Sequence, residues 1–134
     1  MKQVELDYVT IRFEKPVVHL VFKHGAQLGF PELQKIIQYS EELSERTPYV
    51  VLSDVRTNLS VTPAGRKFSS EGKNSPYHRG VAVLTNINFF KLAANFYMGL
   101  KKPSFPFRAF TNEQQAIEWL LGLSLEEGSP SSNC

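Results

Sequence analysis

Two apolar runs without alternation constrain this chain more than any other feature. Tyr49-Val50-Val51-Leu52 ends in Ser53 and Asp54, and Gly80-Val81-Ala82-Val83-Leu84 ends in Thr85. A strand with one wet face alternates apolar and polar residues, whereas one that is apolar at every position is covered on both sides. Each run is followed by a helix signal. Thr62 caps one helix and Pro63 opens it, because a missing N–H costs nothing at the first position. Asn86 or Asn88 caps another, from Phe89 to Leu100. Buried strand, helix, buried strand is the unit of an α/β sheet, and ligands gather where such strands end.

The rest of the chain fits around that unit. Val4, Leu6, Tyr8, Val9, Ile11 and Phe13 read as one period-two strand, and Val17 to Phe22 as a second. The Glu14-Lys15-Pro16 turn makes them an antiparallel hairpin. Gly25 and Gly29 mark a loop. Leu33, Ile36, Ile37, Ser40 and Leu43 then fall at helical spacing after Pro31, and that helix ends before Pro48. The helix from Pro63 to about Glu71 has Phe68 as its main apolar anchor. Residues 71–76 form a loop, and His78 is likewise expected in a loop.

The helix from Phe89 to Leu100 is apolar over well over half its circumference, more than one sheet face covers, so it is a candidate homodimer surface. Phe105 to Phe110 is a fifth strand. Thr111 and Gln114 fit a capping box, and Ala116, Ile117, Leu120 and Leu121 form the face of a final helix, flanked by Trp119 and ended by Gly122. The expected order is ββαβαβαβα. It makes a mixed five-stranded sheet with parallel core strands, right-handed crossovers and an antiparallel N-terminal hairpin. One domain over 1–122 and a flexible tail over 123–134 complete the reading.

Composition excludes several functions. No apolar run approaches the ~20 residues of a membrane helix. The first residues alternate instead of forming a signal-peptide block, so the expected location is cytoplasmic, without stable membrane insertion. A single cysteine, Cys134, allows neither an intrachain disulfide nor a cysteine zinc cluster. His19, His24 and His78 lack metal-ligand spacing with one another or with an acid, so no metal or cofactor is expected. No phosphate loop and no G-x-S-x-G elbow occur.

The net charge is +2 but uneven. Residues 1–55 hold six Lys and Arg against eight Asp and Glu, and residues 56–122 hold nine against three. That basic bias lacks the dense aromatic-interleaved stripe of a nucleic-acid binder. Asp54 has no second carboxylate nearby for acid–base work, so it and Arg56 read as a structural pair instead of a catalytic one.

Taken together, the element order and several short motifs resemble the STAS domains of bacterial anti-sigma-factor antagonists, the SpoIIAA-like fold. They resemble in particular the small bacterial proteins described as STAS/Sec14-like. The residues that carry this are Asp54-Val55-Arg56, Thr62, Ala94-Asn95-Phe96, Gly99-Leu100, Lys102-Pro103, Phe105-Pro106, Phe110-Thr111 and Trp119, and the likeness spans about residues 1–122. It implies a non-enzymatic regulatory or protein-interaction module. Antagonist STAS domains carry a phosphorylatable serine in an Asp-Ser pair at the start of the second helix. This chain has Ser60-Val61-Thr62-Pro63 there, leaving Thr62 and Ser60 as candidate phosphosites.

The expected partner is a protein, docked on a face made by Asp54, Arg56, Thr62, Arg66, Asn86 and Asn88. The alternative, from the Sec14 side of the resemblance and the aromatic helix with Phe89, Phe90, Phe96 and Tyr97, is a small apolar, lipid-like ligand.

Overall fold

The computed structural model describes residues 2–70, 75–86, 105–123 and 125. Within them lie β1 (Lys2–Glu5), β2 (Val9–Glu14), β3 (Val17–Phe22), β4 (Ala26–Leu28), α1 (Phe30–Leu43), β5 (Tyr49–Asp54) and β6 (Leu59–Val61). Then follow α2 (Pro63–Ser70), β7 (His78–Leu84), β8 (Phe107–Phe110) and α3 (Glu113–Leu121). The main sheet has six strands in the order β1-β2-β3-β5-β7-β8. Strands β3, β5, β7 and β8 are parallel, and β2 is antiparallel to both its neighbours. The expected α/β class, parallel core and antiparallel N-terminal pair are therefore present.

Strand β5 sits inside the sheet, as its unbroken apolar run requires. Val50 (0% exposed) and Leu52 (3%) pack with Ala116 and Leu120 of α3. Tyr49 and Val51 face the opposite layer with Ile36 of α1. The sheet thus separates two apolar layers. The larger, beneath α1 and α2, collects Val9, Ile11, Val18, Leu20, Val81 and Val83.

Three expectations are corrected. The first apolar stretch is two strands, not one, which raises the main sheet from five strands to six. The chain reverses at Leu6-Asp7-Tyr8, where the Leu6 N–H donates to the Val9 carbonyl at 2.8 Å. Leu6 and Tyr8 still pack on the core from inside the turn, so the period-two pattern runs through the reversal and conceals it. The loop at Gly25 to Gly29 and the link after Asp54 contain β4 and β6, which pair in parallel with Leu28 opposite Val61. Each has three residues, too few for a periodicity to register, and the partners are far apart in sequence.

The third correction is the last helix. Its cap is Asn112, whose Oδ1 accepts from the Gln115 N–H at 2.9 Å, instead of a Thr111–Gln114 box. Leu121 is 56% exposed and does not belong to its buried face.

The other two helices follow their sequence signals. In α1, Gly29 N–H donates to Glu32 Oε1 at 2.8 Å, and Ser40 is accommodated in the core by donating to the Ile36 carbonyl at 2.7 Å. The helix stops at Leu43, before Pro48, where Glu45 and Arg46 take left-handed backbone angles. Thr62 caps α2 as expected, its Oγ1 accepting from the Gly65 N–H at 3.0 Å. Gly65 is required there, since a Cβ would lie 2.4 Å from the Leu28 carbonyl oxygen. The apolar helix expected over 89–100, with its candidate dimer surface, and most of the tail lie outside the described residues.

Candidate functional site

Because β3, β5, β7 and β8 run the same way, their C-terminal ends share one edge, with Asp54 opposite Leu84 in register. The Asp54 carboxylate is taken up by Arg56: Oδ1 accepts from the backbone N–H at 3.1 Å and from Nε at 3.0 Å, and Oδ2 from Nη2 at 2.8 Å. Partial burial pushes this carboxyl up, but the hydrogen bonds and charge of Arg56 outweigh it and hold the group below its ordinary range. Arg56 also lies 3.7 Å from Glu113 at the start of α3.

Alternation along β5 explains this position. Asp54 continues the side of Val50 and Leu52, so it and Arg56 lie on the α3 side of the sheet. Thr62 and Arg66 belong to the α2 layer, on the other side. Arg66 and Asn86 are exposed, as is Ser60 in the middle of β6. The Thr62 hydroxyl is engaged in capping. Asn88 lies outside the described residues. Of these residues, Asp54 and Arg56 therefore lie on one side of the sheet and Thr62 and Arg66 on the other.

A second site is more enclosed. Between α1, α2 and the sheet is a cavity of about 170 Å³. Helix α1 lines it with Leu33, Ile36, Ile37 and Ser40, and α2 with Phe68 and Ser69. The sheet contributes Leu20, Phe22, Tyr49, Val51, Ser53 and His78, and Phe105 closes one side. No charged side chain is among its described walls.

His78 is the unusual wall residue. It is stacked edge-on between Tyr49, at 5.9 Å between centroids, and Phe105, at 4.5 Å. Its Nδ1 is buried and has no hydrogen-bond partner among the described residues; leaving such an atom unpaired costs about 1–3 kcal/mol. Burial first, and neighbouring Arg79 second, push its pKa from 6.5 to about 4, so the ring is neutral near pH 7. Burial likewise raises the Tyr49 phenol to about 12, against the opposing effect of its hydrogen bond with Ser75.

The placement of His78 follows from an irregularity in pairing. Tyr49 is opposite His78, but Val51 is opposite Val81, so β7 carries an extra residue at Arg79-Gly80. By simple alternation His78 would share the side of Ala82, against α3. The bulge returns it to the side of Val81, facing α1. The loop position expected for His78 is thus corrected: it begins a strand, and the glycine at 80 was the available signal for a bulge.

Elsewhere, His19 is 6% exposed on the α3 side of the sheet. Its Nδ1 is 3.2 Å from Arg12 Nη2 and its Nε2 is 3.7 Å from Glu14. Burial, then Arg12, lower its pKa. Among the described residues no cluster of His, Cys, Asp and Glu is arranged to hold a metal, and no helix is long and apolar enough to cross a membrane.

Residues 11–124 match a family model described as a domain of unknown function, DUF7793. The chain belongs to the DUF7793 family. No curated protein matches this DUF7793 chain. A solved structure does: an uncharacterized protein of the DUF3478 family from Shewanella loihica PV-4, described as having a SpoIIAA-like fold. The likeness covers 84% of this chain and 91% of that one, with a TM-score of 0.54 and 15% identity. At that identity it establishes the fold alone. This DUF7793 domain has a SpoIIAA-like fold, as the sequence resemblance implied. Of the motif that carried the resemblance, residues 94–103 lie outside the described residues, while Phe105, Phe110 and Trp119 are described, with Phe110 and Trp119 in ring contact at 5.7 Å.

Proposed function

We propose that this domain is a non-enzymatic binding module that holds a small apolar molecule between α1, α2 and the sheet. The observation that supports it is the cavity of about 170 Å³, whose described walls carry no charged side chain. Cavities of about 150 Å³ lined by Leu, Ile and Phe stay dry and take up benzene, and a mostly apolar pocket with a few polar groups is the usual form of a small-molecule site. Among its described walls the two titratable residues, Tyr49 and His78, are both held neutral near pH 7, which suits binding better than proton transfer. The fold lends no function of its own.

The test is an amide NMR titration with toluene. Saturable shifts at Ile36, Val51 and His78 are expected; no shift at those amides up to the solubility limit of toluene refutes the reading.

A second reading, docking of a protein partner on the strand-end rim, is supported by exposed Arg66 and Asn86 and by Phe30, 41% exposed and stacked on Phe68 at 5.0 Å. Replacing Arg56 and Arg66 together by Glu should abolish recovery of a partner from native lysate. Unchanged recovery removes that face.

A further inference from the structure

We propose that Arg12, His19 and Glu14 form a proton-operated latch, in which neutral His19 holds Arg12 against the sheet and protonated His19 turns it out to solvent. The pairing of β2 with β3 sets Arg12 opposite His19. Arg12 Nη2 lies 3.2 Å from His19 Nδ1, and Arg12 Nε lies 3.0 Å from Glu14 Oε1. A guanidinium can only donate. Nδ1 is therefore the acceptor, the ring is neutral, and its one proton is on Nε2, 3.7 Å from the same Glu14 oxygen. The contact thus specifies a single tautomer for a buried ring.

A proton arriving from solvent goes to Nδ1, and that atom then faces the guanidinium with a donor of its own. The hydrogen bond is lost and two cations are left in contact. The other hold on Arg12 is weak, because its Nε meets Glu14 as an ion pair and not as an aligned hydrogen bond. The charged groups around the ring divide accordingly. From β2, Arg12 opposes charging and Glu14 favours it; from α3, Glu113 favours it; Leu52, opposite on β5, carries no charge. Burial is the largest effect and, with Arg12, lowers the pKa of His19. Once Arg12 leaves, the two carboxylates remain to stabilise the imidazolium. The way out is open. The Arg12 side chain is 33% exposed, Gln3 opposite it on edge strand β1 is exposed, and α3 packs mainly on β5, β7 and β8. The latch converts a closed ion pair into a free guanidinium on that face of the sheet.

The experiment is an NMR titration of the full chain. It follows the imidazole 15N resonances of His19, the Glu14 carboxyl carbon and hydrogen exchange at the Arg12 guanidinium, the last relative to exposed Arg66. Near pH 7 the ring should carry its proton on Nε2 and none on Nδ1. As the pH falls below the ordinary imidazole range, all three signals should change with one midpoint while the amide spectrum stays that of the folded chain. Arg12 exchange should rise roughly tenfold relative to Arg66, reflecting the loss of one hydrogen bond to a charged group. Arg12→Met should raise the His19 midpoint, and in His19→Gln the Arg12 exchange ratio should no longer depend on pH.

The opposite tautomer near pH 7 overturns the latch, as does an Arg12 exchange ratio that stays flat while His19 titrates. An unchanged His19 midpoint in Arg12→Met also overturns it. So does unfolding before the ring takes its proton, since no folded chain then releases Arg12. Should either variant not fold, the wild-type titration decides alone. None of these outcomes depends on a ligand between α1, α2 and the sheet, so each is independent of the proposed function.

Discussion

Acidification should expose the buried state of His78. In the folded chain its pKa is lowered from 6.5 to about 4, by burial first and by Arg79 second. In the unfolded chain the ring titrates at its ordinary value. Between the two, the unfolded chain binds a proton that the folded one excludes, so stability is full above the unfolded pKa, falls as pH drops below it, and levels off below the folded pKa. One pKa unit corresponds to about 1.4 kcal/mol, which gives a loss of about 2 to 3 kcal/mol between pH values of about 7 and 4.5.

That is a large part of the roughly 5–15 kcal/mol that holds a domain folded. Other groups also respond. The lowered pKa of His19 acts in the same direction, and Asp54, held low by Arg56 against its burial, loses stability only at more acid pH. The measurement is therefore a difference. Urea denaturation at several pH values, in the wild type and in His78→Phe, cancels the distant groups. The wild type should lose about 2 to 3 kcal/mol more than the variant over that interval. Parallel curves would refute the assignment. So would an NMR titration giving the His78 ring an ordinary pKa, which needs no variant.

Three further outcomes test the packing and the ends of elements. Gly65→Ala drives a methyl group into the Leu28 carbonyl, 2.4 Å away. It should cost about 1–3 kcal/mol in chemical denaturation, lessened by ~1 kcal/mol of helix propensity; a more stable variant contradicts the close approach of α2 to β4. Asn112→Ala should cost about 1 kcal/mol by removing the cap on Gln115, and Thr111→Ala close to nothing. Equal losses in the two would return the cap to Thr111. A double-mutant cycle on Asp54 and Arg56 should give a coupling of about 1 kcal/mol or less that shrinks with salt, because Arg56 is 41% exposed; a larger, salt-independent coupling would mark the pair as buried.

Much of the architecture is legible in local chemistry. The unbroken apolar runs at Tyr49 and Gly80 announce interior strands, and burial on both sides is what they show. Thr62-Pro63 marks the start of α2, and its hydroxyl makes the expected cap. The pairing of Asp54 with Arg56 is also readable from spacing, being a contact between residues two apart. Each of these depends on groups close in sequence, so composition and period are enough.

What tertiary structure decided are the features that join distant segments. Three-residue strands β4 and β6 exist because each finds the other. The turn at Leu6 to Tyr8 is invisible to periodicity because its side chains still reach the core. The division of the rim residues depends on which side of the sheet each one follows. Above all, one extra residue in β7 turns His78 from the α3 side to the α1 side and sets its unpaired nitrogen beside Tyr49 and Phe105. Alternation along one strand determines relative sides, but only pairing with a neighbour reveals where that alternation slips.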